Sequence, residues 1–288
     1  MQSPPPPLTS YVESWTPGPV TDEDPLPAGP VAALSAARDL PAAAKAGDPL
    51  PPLWQWLYFL DWPAGRELGT DGHPLNGHFL PPIPHRQRMW AGVRCEITEP
   101  LRLGEPAERI SSLSSVTPKH GRTGGMLFVT ERREFRQHGR TCLVEEQDIV
   151  YRSGRSEGQH PAGVDESASP DTDVPWQLPL RPDPALLFRF SALTANAHRI
   201  HYDTPYCQGE EGYPGLVVHG PLLALLMLEL AHRHAPERQV TSLSYRLRRP
   251  VFAGEHLVAC GTPSDRHVEL LIATHREAWH ATAEVTFA

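Results

Sequence analysis

Three patterns of apolar residues organise this chain of 288 residues. The first is a run from Leu222 to Leu228 that is apolar on every helical face. Pro221 suits its first helical position, with His219 and Gly220 just outside. A helix of this kind presents no face to water and has to be wrapped on all sides, which an antiparallel sheet curled around it can do. Its positive N-terminal end then points at whatever binds near His219 and Gly220. The second pattern is strict alternation, predicting strands with one buried face. Leu243, Tyr245 and Leu247 alternate with Ser242, Ser244 and Arg246; Val268, Leu270 and Ile272 repeat the pattern; Ala281, Ala283, Val285 and Phe287 carry it to the end of the chain. Earlier, VRCEI, RISSLSSV, GGMLFVTERREF and RTCLVEEQDIVY, between Met89 and Tyr151, follow one another at hairpin spacing and predict an antiparallel meander.

The third pattern is helical spacing. Asp183 and Pro184 open a helix in which Leu186, Phe190 and Leu193 share a face. An alanine-rich stretch from Pro30 to Leu40 reads as another helix, after an expected strand around Ser14 to Val20. The aromatic segment Pro51 to Trp62 reads as core or interface, with a ligand role for Trp54, Trp56 or Tyr58 as the alternative. Gly69 to Pro84 is turn-rich and predicts a long irregular loop that could line a pocket. The polar Gly-, Ser-, Pro- and Asp-rich stretch after Tyr151 reads as a linker. The expected organisation is a first domain over 1–152, a linker over 153–175 and a second domain over 176–288, in an α+β chain.

The two meanders resemble copies. Pro100-Leu-Arg-Leu-Gly-Glu105 in the first echoes Pro250-Val-Phe-Ala-Gly-Glu255 in the second, and a Trp followed by a Pro-headed helix precedes each: Trp15 and Pro30, then Trp176 and Pro184. Only the second copy carries a polar knot, Asn196, His198, Arg199 and His201, immediately before the apolar helix. Duplication with loss of chemistry in the first copy predicts one site per chain.

Composition narrows the function. A hydrophobic content of 40% supports real cores, and a formal charge of −8 with two lysines against 24 arginines shows no basic block for nucleic acid. Cys95, Cys142, Cys207 and Cys260 form no C-x-x-C pair, so neither a zinc knuckle nor a dense disulfide framework is expected. With no signal-like start and no apolar run of membrane-spanning length, a cytoplasmic chain without membrane partners is expected. His198 and His201 form H-x-x-H, with His219 further on, but no carboxylate or cysteine completes a recognised spacing, and the expected metal content is none.

The order of helix, polar knot, loop, His-Gly and buried helix, then meander resembles the hot-dog fold of the MaoC-like R-specific enoyl-CoA hydratases. Their motif, Asp-x-Asn-Pro-x-His, is matched here by Asn196-Ala-His198-Arg199-Ile-His201. The resemblance extends over nearly the whole chain when HRQRMWAG (His85 to Gly92) and KHGRTGG (Lys119 to Gly125) are compared with the N-terminal hot-dog of two-domain members. NAHRIHYD and YPGLVVHGPL are similar to the branch of mesaconyl-C4-CoA and itaconyl-CoA hydratases and 3-hydroxyacyl-thioester dehydratases. It implies a double hot-dog, two antiparallel sheets each wrapped around a helix and packed as a pseudo-dimer, with possible further homo-oligomerisation through the sheets.

The implied chemistry is reversible addition of water to a short, carboxylated enoyl-CoA, with coenzyme A as part of the substrate and no other cofactor. The alternatives are dehydration of 3-hydroxyacyl thioesters in fatty-acid synthesis, a catalytically silent thioester-binding module, and a thioesterase. The reaction needs a proton taken from water, a proton delivered to Cα and a grip on the enolate oxygen. Asn196 stands where the family has a titrating Asp, so His201 is expected to carry the protons while Asn196 orients water. The N–H of Gly220 receives the thioester oxygen, with His219 beside the substrate. His198 is either a loop-holding residue or a second proton carrier. Arg199, in place of the family proline, either clamps a substrate carboxylate or pairs with Asp203. Arg86, Arg88, Lys119 and Arg122 are candidates for the coenzyme A phosphates, each with a solvated or strand-edge role as the alternative.

Overall fold

The computed structural model describes residues 6–41, 45–84, 87–121, 124–152 and 163–288. Among these residues, ten strands form one antiparallel sheet: β1 (Val20–Asp24), β2 (Gln87–Ile97), β3 (Ala107–Gly121), β4 (Gly124–Gln137), β5 (Arg140–Arg152), β6 (Trp176–Leu180), β7 (Val240–Leu247), β8 (Leu257–Pro263), β9 (His267–Thr274) and β10 (Glu277–Phe287). Their spatial order is β1-β3-β4-β5-β2-β7-β10-β9-β8-β6. Read inward from either edge, the order is the same once β1 to β5 are matched with β6 to β10. The six-residue echo sits at matching corners. Gly104 and Gly254 both take positive φ, +77° and +89°, a conformation that suits Gly. Their N–H groups donate to the carbonyls of Leu26 and Pro182 respectively, each at 2.8 Å.

The halves meet where β2 pairs with β7, Gly92 opposite Arg246 and Cys95 opposite Leu243. A Cβ on Gly92 would lie 2.3 Å from the carbonyl oxygen of Tyr245, so a side chain there would push the two central strands apart. The seam is aromatic: the rings of Trp90 and Tyr245 lie 5.2 Å apart, and Trp56 meets Trp90 edge-on at 5.6 Å.

Among the described residues, four α-helices accompany the sheet: α1 (Gly29–Ala37), α2 (Pro184–Leu193), α3 (Thr204–Gly209) and α4 (Gly220–His234). The all-apolar run is α4. Its buried positions include Leu222, Leu223, Leu225, Leu226, Met227, Leu228 and Leu230, which leaves no apolar face in water. It is held by β6, β8, β9 and β10 of its own half and by β2 across the seam. His232, Arg233 and His234 in its last turn suit the negative end of the helix dipole. The alternating residues land as expected, with Leu243, Tyr245, Val268, Leu270, Ile272, Ala281, Ala283, Val285 and Phe287 all buried. The four cysteines are free, buried thiols.

Two expectations change. The strand placed at Ser14 to Val20 begins only at Val20; Pro17 and Pro19 lack N–H donors and hold the preceding stretch out of the ladder. Trp15 packs instead on the small cluster of Leu8, Ile83, Leu127, Val129 and Tyr151. Among the described residues, only the second half contributes a long enclosed helix. Between α1 and β2 the described residues of the first half carry 3₁₀ turns at Trp54–Leu57 and Gly65–Glu67 and the long loop. The aromatic segment takes the core reading: Trp56 Nε1 donates to Glu145 Oε2 at 3.0 Å and the Tyr58 hydroxyl to the Pro27 carbonyl at 2.7 Å. Residues 153–162 of the expected linker, with His85, Arg86, Arg122 and Thr123, lie outside the described residues.

Because α4 is packed on every side, shortening Leu226, 1% exposed, is expected to cost about 2–5 kcal/mol as Leu226→Ala. Phe188→Ala, at a position 62% exposed, is expected to change stability by no more than about 0.5 kcal/mol. Urea unfolding of the two variants checks the contrast.

Candidate active site

The polar knot forms directly after α2. Asn196 closes a turn by accepting the backbone N–H of His198 on Oδ1 at 3.0 Å. His198 then precedes a single 3₁₀ turn, Arg199–His201, and the turn's last residue is drawn inward. His201 is 7% exposed, and its Nδ1 lies 2.7 Å from the Val217 carbonyl oxygen. A carbonyl accepts only, so Nδ1 carries the hydrogen and Nε2 is the basic nitrogen. Burial pushes the His201 pKa down to about 4, against the opposing effect of the Val217 hydrogen bond. It is therefore a neutral base at physiological pH.

The ring of His201 lies face to face with that of His219, with centroids 3.6 Å apart. His219 is the N-cap of α4 and Gly220 its first residue. The first N–H groups of a helix have no partner within it, so the electropositive head of α4 lies against the His201 imidazole. His219 Nε2 lies 2.9 Å from Ser191 Oγ, and its Nδ1 is buried with no hydrogen-bond partner among the described residues. Burial, then the neighbouring His201 and His198, hold its pKa well below the ordinary imidazole range. Gly220 sits under the seam: a Cβ there would lie 3.0 Å from both Trp90 Cε3 and Leu247 Cδ2. Its carbonyl accepts the Tyr245 hydroxyl at 3.1 Å.

The loop 69–84 of the first half closes over the knot, which sequence patterning did not reveal. Gly72 has φ +87°, and a Cβ there would fall 1.8 Å from the Ala197 carbonyl oxygen. Beside it, Asp71 accepts the His73 backbone N–H and ring Nδ1, each at 2.9 Å. The His73 ring lies 3.9 Å from that of His198, and His198 meets His201 edge-on at 5.6 Å. His73, His198, His201 and His219 thus form one row of imidazoles with Asp71 at its outer end. Burial, then His73 and His201, push His198 down to about 2. Burial raises the Asp71 pKa, but the hydrogen bonds from His73 outweigh it and hold the carboxyl well below its usual range. The only sequence signal was Asp-Gly-His in a turn-rich stretch, which has no periodicity to mark it.

Arg199 takes the second of its two expected roles. Its Nε and Nη2 donate to Asp203 Oδ2 at 2.9 and 2.7 Å, its Nη1 to the Thr70 carbonyl at 2.9 Å, and its backbone N–H to the Asp71 carbonyl at 2.9 Å. It fastens the loop to the knot, with its guanidinium 4.1 Å above the Tyr206 ring. Arg88 of β2 lies close enough for its charge to disfavour the charged form of His198. Lys119 of β3 instead lies over the Phe128 ring at 4.4 Å.

Among the described residues, Asp71, His73 and His198 offer ligand atoms within 4.8 Å of one another. Both Asp71 oxygens already accept hydrogen bonds from His73, which a bound ion would have to displace. The donor set suits proton handling better than a metal ion.

A neutral imidazole against the head of a wrapped helix, at the seam of a duplicated antiparallel fold, defines a hydro-lyase of the MaoC-like double hot-dog type. The sequence model of hydroxyacyl-thioester dehydratase type 2 matches residues 53–253, and the chain belongs to that family. It is 48% identical over 231 residues to the mesaconyl-C(4)-CoA hydratase of Chloroflexus aurantiacus, covering 80% of this chain and 81% of that one. It is 31% identical over 236 residues to the mitochondrial hydroxyacyl-thioester dehydratase type 2 of Schizosaccharomyces pombe, covering 73% and 77%. Two crystal structures share the fold: HtdX of Mycobacterium tuberculosis, with TM-score 0.65, 16% identity and 94% and 100% coverage, and a MaoC-like dehydratase of Phytophthora capsici, with TM-score 0.60, 12% identity and 97% and 98% coverage. No helix among the described residues is long and apolar enough to cross a membrane.

Two measurements test this geometry. Gly72→Ala forces a contact and a strained φ together and is expected to lower stability by about 1–3 kcal/mol in urea unfolding. Gly139→Ala, also at positive φ but with nothing within 4 Å of the added Cβ, isolates the backbone strain and is expected to cost less. Second, His198 and His201 bind protons less readily folded than unfolded. The unfolded chain therefore takes up more protons below about pH 6.5, and stability is expected to fall from there toward pH 4. Unfolding midpoints measured across that range check the sign.

Proposed function

We propose that this chain adds water reversibly across the double bond of a short enoyl-CoA, with a carboxylated acyl group of the mesaconyl-C4 type as the favoured substrate. The observation that carries the reading is the neutral, buried His201 imidazole set against the N-terminal head of α4. The base and the electropositive helix head together meet the needs of addition to a double bond conjugated with a thioester. His201 Nε2 removes a proton from water as the oxygen attacks Cβ, and the Gly220 N–H stabilises the charge developing on the thioester oxygen. Asn196 helps to orient that water. Coenzyme A enters as part of the substrate, and these steps call for no redox or metal partner.

The carboxylated substrate is supported by the relative 48% identical to this chain. Arg199 contributes indirectly, since Asp203 and the loop occupy its guanidinium. Arg88, whose charge reaches His198, is the cation assigned to the acyl carboxylate. Dehydration of a 3-hydroxyacyl thioester, supported by the relative in fission yeast, uses the same groups in reverse.

A substrate panel tests the reading. Crotonyl-CoA, itaconyl-CoA and mesaconyl-C4-CoA are expected to lose enoyl absorbance without releasing thiol, with the mesaconyl compound fastest. His201→Ala should lower turnover by about 10²-fold or more. Arg88→Ala should weaken the carboxylated substrates selectively, whereas Arg199→Ala should affect all three alike. Thiol release would show a thioesterase, and binding without turnover a silent module.

A further inference from the structure

Beyond the residues of the polar knot, and resting on the hydratase reading above, we infer that the Asp71–His73 pair of the first half supplies the second proton-handling group of the reaction, the acid that protonates Cα, in place of the carboxylate that Asn196 lacks.

Four observations carry this. Asn196 has no proton to give, and its side-chain oxygen is engaged in the turn at His198. The carboxylate nearest the row in the described hydrogen-bond network is Asp71, and it is aimed at a ring nitrogen of His73 at 2.9 Å. The His73 ring is seated on the knot at 3.9 Å from His198, held there by the Gly72–Ala197 approach and the Arg199–Asp71 and Arg199–Thr70 hydrogen bonds. Finally, the environments divide the labour. His201 and His219 are buried and, like the half-buried His198, are pushed toward the neutral form, whereas the half-buried His73 is paired with a carboxylate. The Asp71 carboxylate stands 2.9 Å from a ring nitrogen of His73, an arrangement that holds and orients an imidazole for proton transfer. A base that stays neutral and an acid that can hold its charge are the two settings a hydration needs.

The step balances without a further reactant. An O–H bond of water breaks and its proton passes to His201 Nε2 while the oxygen forms a bond to Cβ. The π pair moves through Cα toward the thioester oxygen. An N–H bond of the His73 imidazolium then breaks, its electron pair remains on nitrogen, and the proton forms the new C–H bond at Cα. His201 later gives one proton to solvent and His73 takes one up, which restores the starting state. In the reverse direction neutral His73 is the base.

The test uses the full chain and the hydration of crotonyl-CoA and mesaconyl-C4-CoA across pH 4 to 10. Among the described residues, the charged and titratable groups near the His73 ring include Asp71 on its own loop, His198 and His201 at the 3₁₀ turn, Arg199 at the Asp71 carbonyl with Asp203 on its guanidinium, and Arg88 of β2 next to His198. Wild type is expected to show a bell-shaped kcat profile, falling on the acid side as His201 protonates and on the basic side as His73 loses its proton. His73→Gln should lower kcat about 10²-fold, leave KM nearly unchanged and remove the basic limb. Asp71→Asn keeps the size of the side chain and its acceptor for the His73 backbone N–H, so it tests the charge even if His73→Gln folds poorly. Its basic limb should move to lower pH.

Turnover within threefold of wild type with an unchanged profile in both variants overturns the inference while leaving the hydratase reading intact. Loss of wild-type activity on EDTA treatment, restored by zinc, overturns it in favour of a metal held by the same three side chains. A raised KM with unchanged kcat and profile shows a merely structural loop contact and overturns it as well. A wild-type chain inactive on every enoyl-CoA overturns both readings.

Discussion

A helix with no polar face is the constraint on which the rest of the molecule depends. Met227 and Leu230 of α4 are fully buried, with Leu222, Leu223 and Leu226 nearly so. Burying such side chains gives about 1.5–3 kcal/mol each relative to exposure, but only if both flanks of the helix are covered. One half's sheet supplies most of the covering, and β2 reaches across the seam to supply the remainder. The head of α4 is thereby fixed under Trp90, Tyr245 and Leu247. A helix N-terminus held there keeps its first N–H groups oriented in a low-dielectric setting, where their partial charge acts most strongly.

The mirrored strand order and the matched Gly104 and Gly254 corners describe one unit used twice, and the copies have diverged in complementary ways. The second kept the enclosed helix. The first has 3₁₀ turns and a long loop where the helix would lie, and the loop reaches over the partner half to the polar knot. Arg38 of α1 ties the halves again through Glu229 of α4 at 2.9 Å, with both side chains largely buried. The site therefore belongs to neither half alone. The first half carries no counterpart of the 196–201 motif in its sequence and still places Asp71 and His73 in the row of imidazoles.

Legibility in the sequence followed periodicity. The alternating runs 241–247 and 281–287 and the all-apolar run 222–228 mark their burial directly, since side-chain period and exposed face are geometrically linked. β1, with the sequence VTDED, has no apolar face and pairs along the sheet edge, so nothing in its pattern marked it as a strand. His201 and the head of α4 were legible because they flank regular elements at short separation. Asp71 and His73 were not, because irregular loops are positioned by single contacts such as the Gly72–Ala197 approach. Arg199 could be narrowed to two roles from sequence; the folded turn brings Asp203 to its guanidinium and decides between them, and the further bond to Thr70, 129 residues away along the chain, had no sequence signal.

The two departures from the family motif are linked by the same loop. Proline at position 199 would lack both the backbone N–H that meets the Asp71 carbonyl and the guanidinium that meets the Thr70 carbonyl. Without those bonds the loop loses its attachment on one side of Gly72, and His73 loses the support that keeps its ring against His198. A titrating carboxylate at position 196, in turn, would place a second negative charge at the backbone of His198, whose ring stacks toward the His73–Asp71 pair. Like charges in one partly enclosed site raise each other's pKa and hinder joint ionisation. Arginine at 199 thus makes the loop's approach possible, and asparagine at 196 leaves Asp71 as the carboxylate serving the row, so each substitution makes sense in the presence of the other.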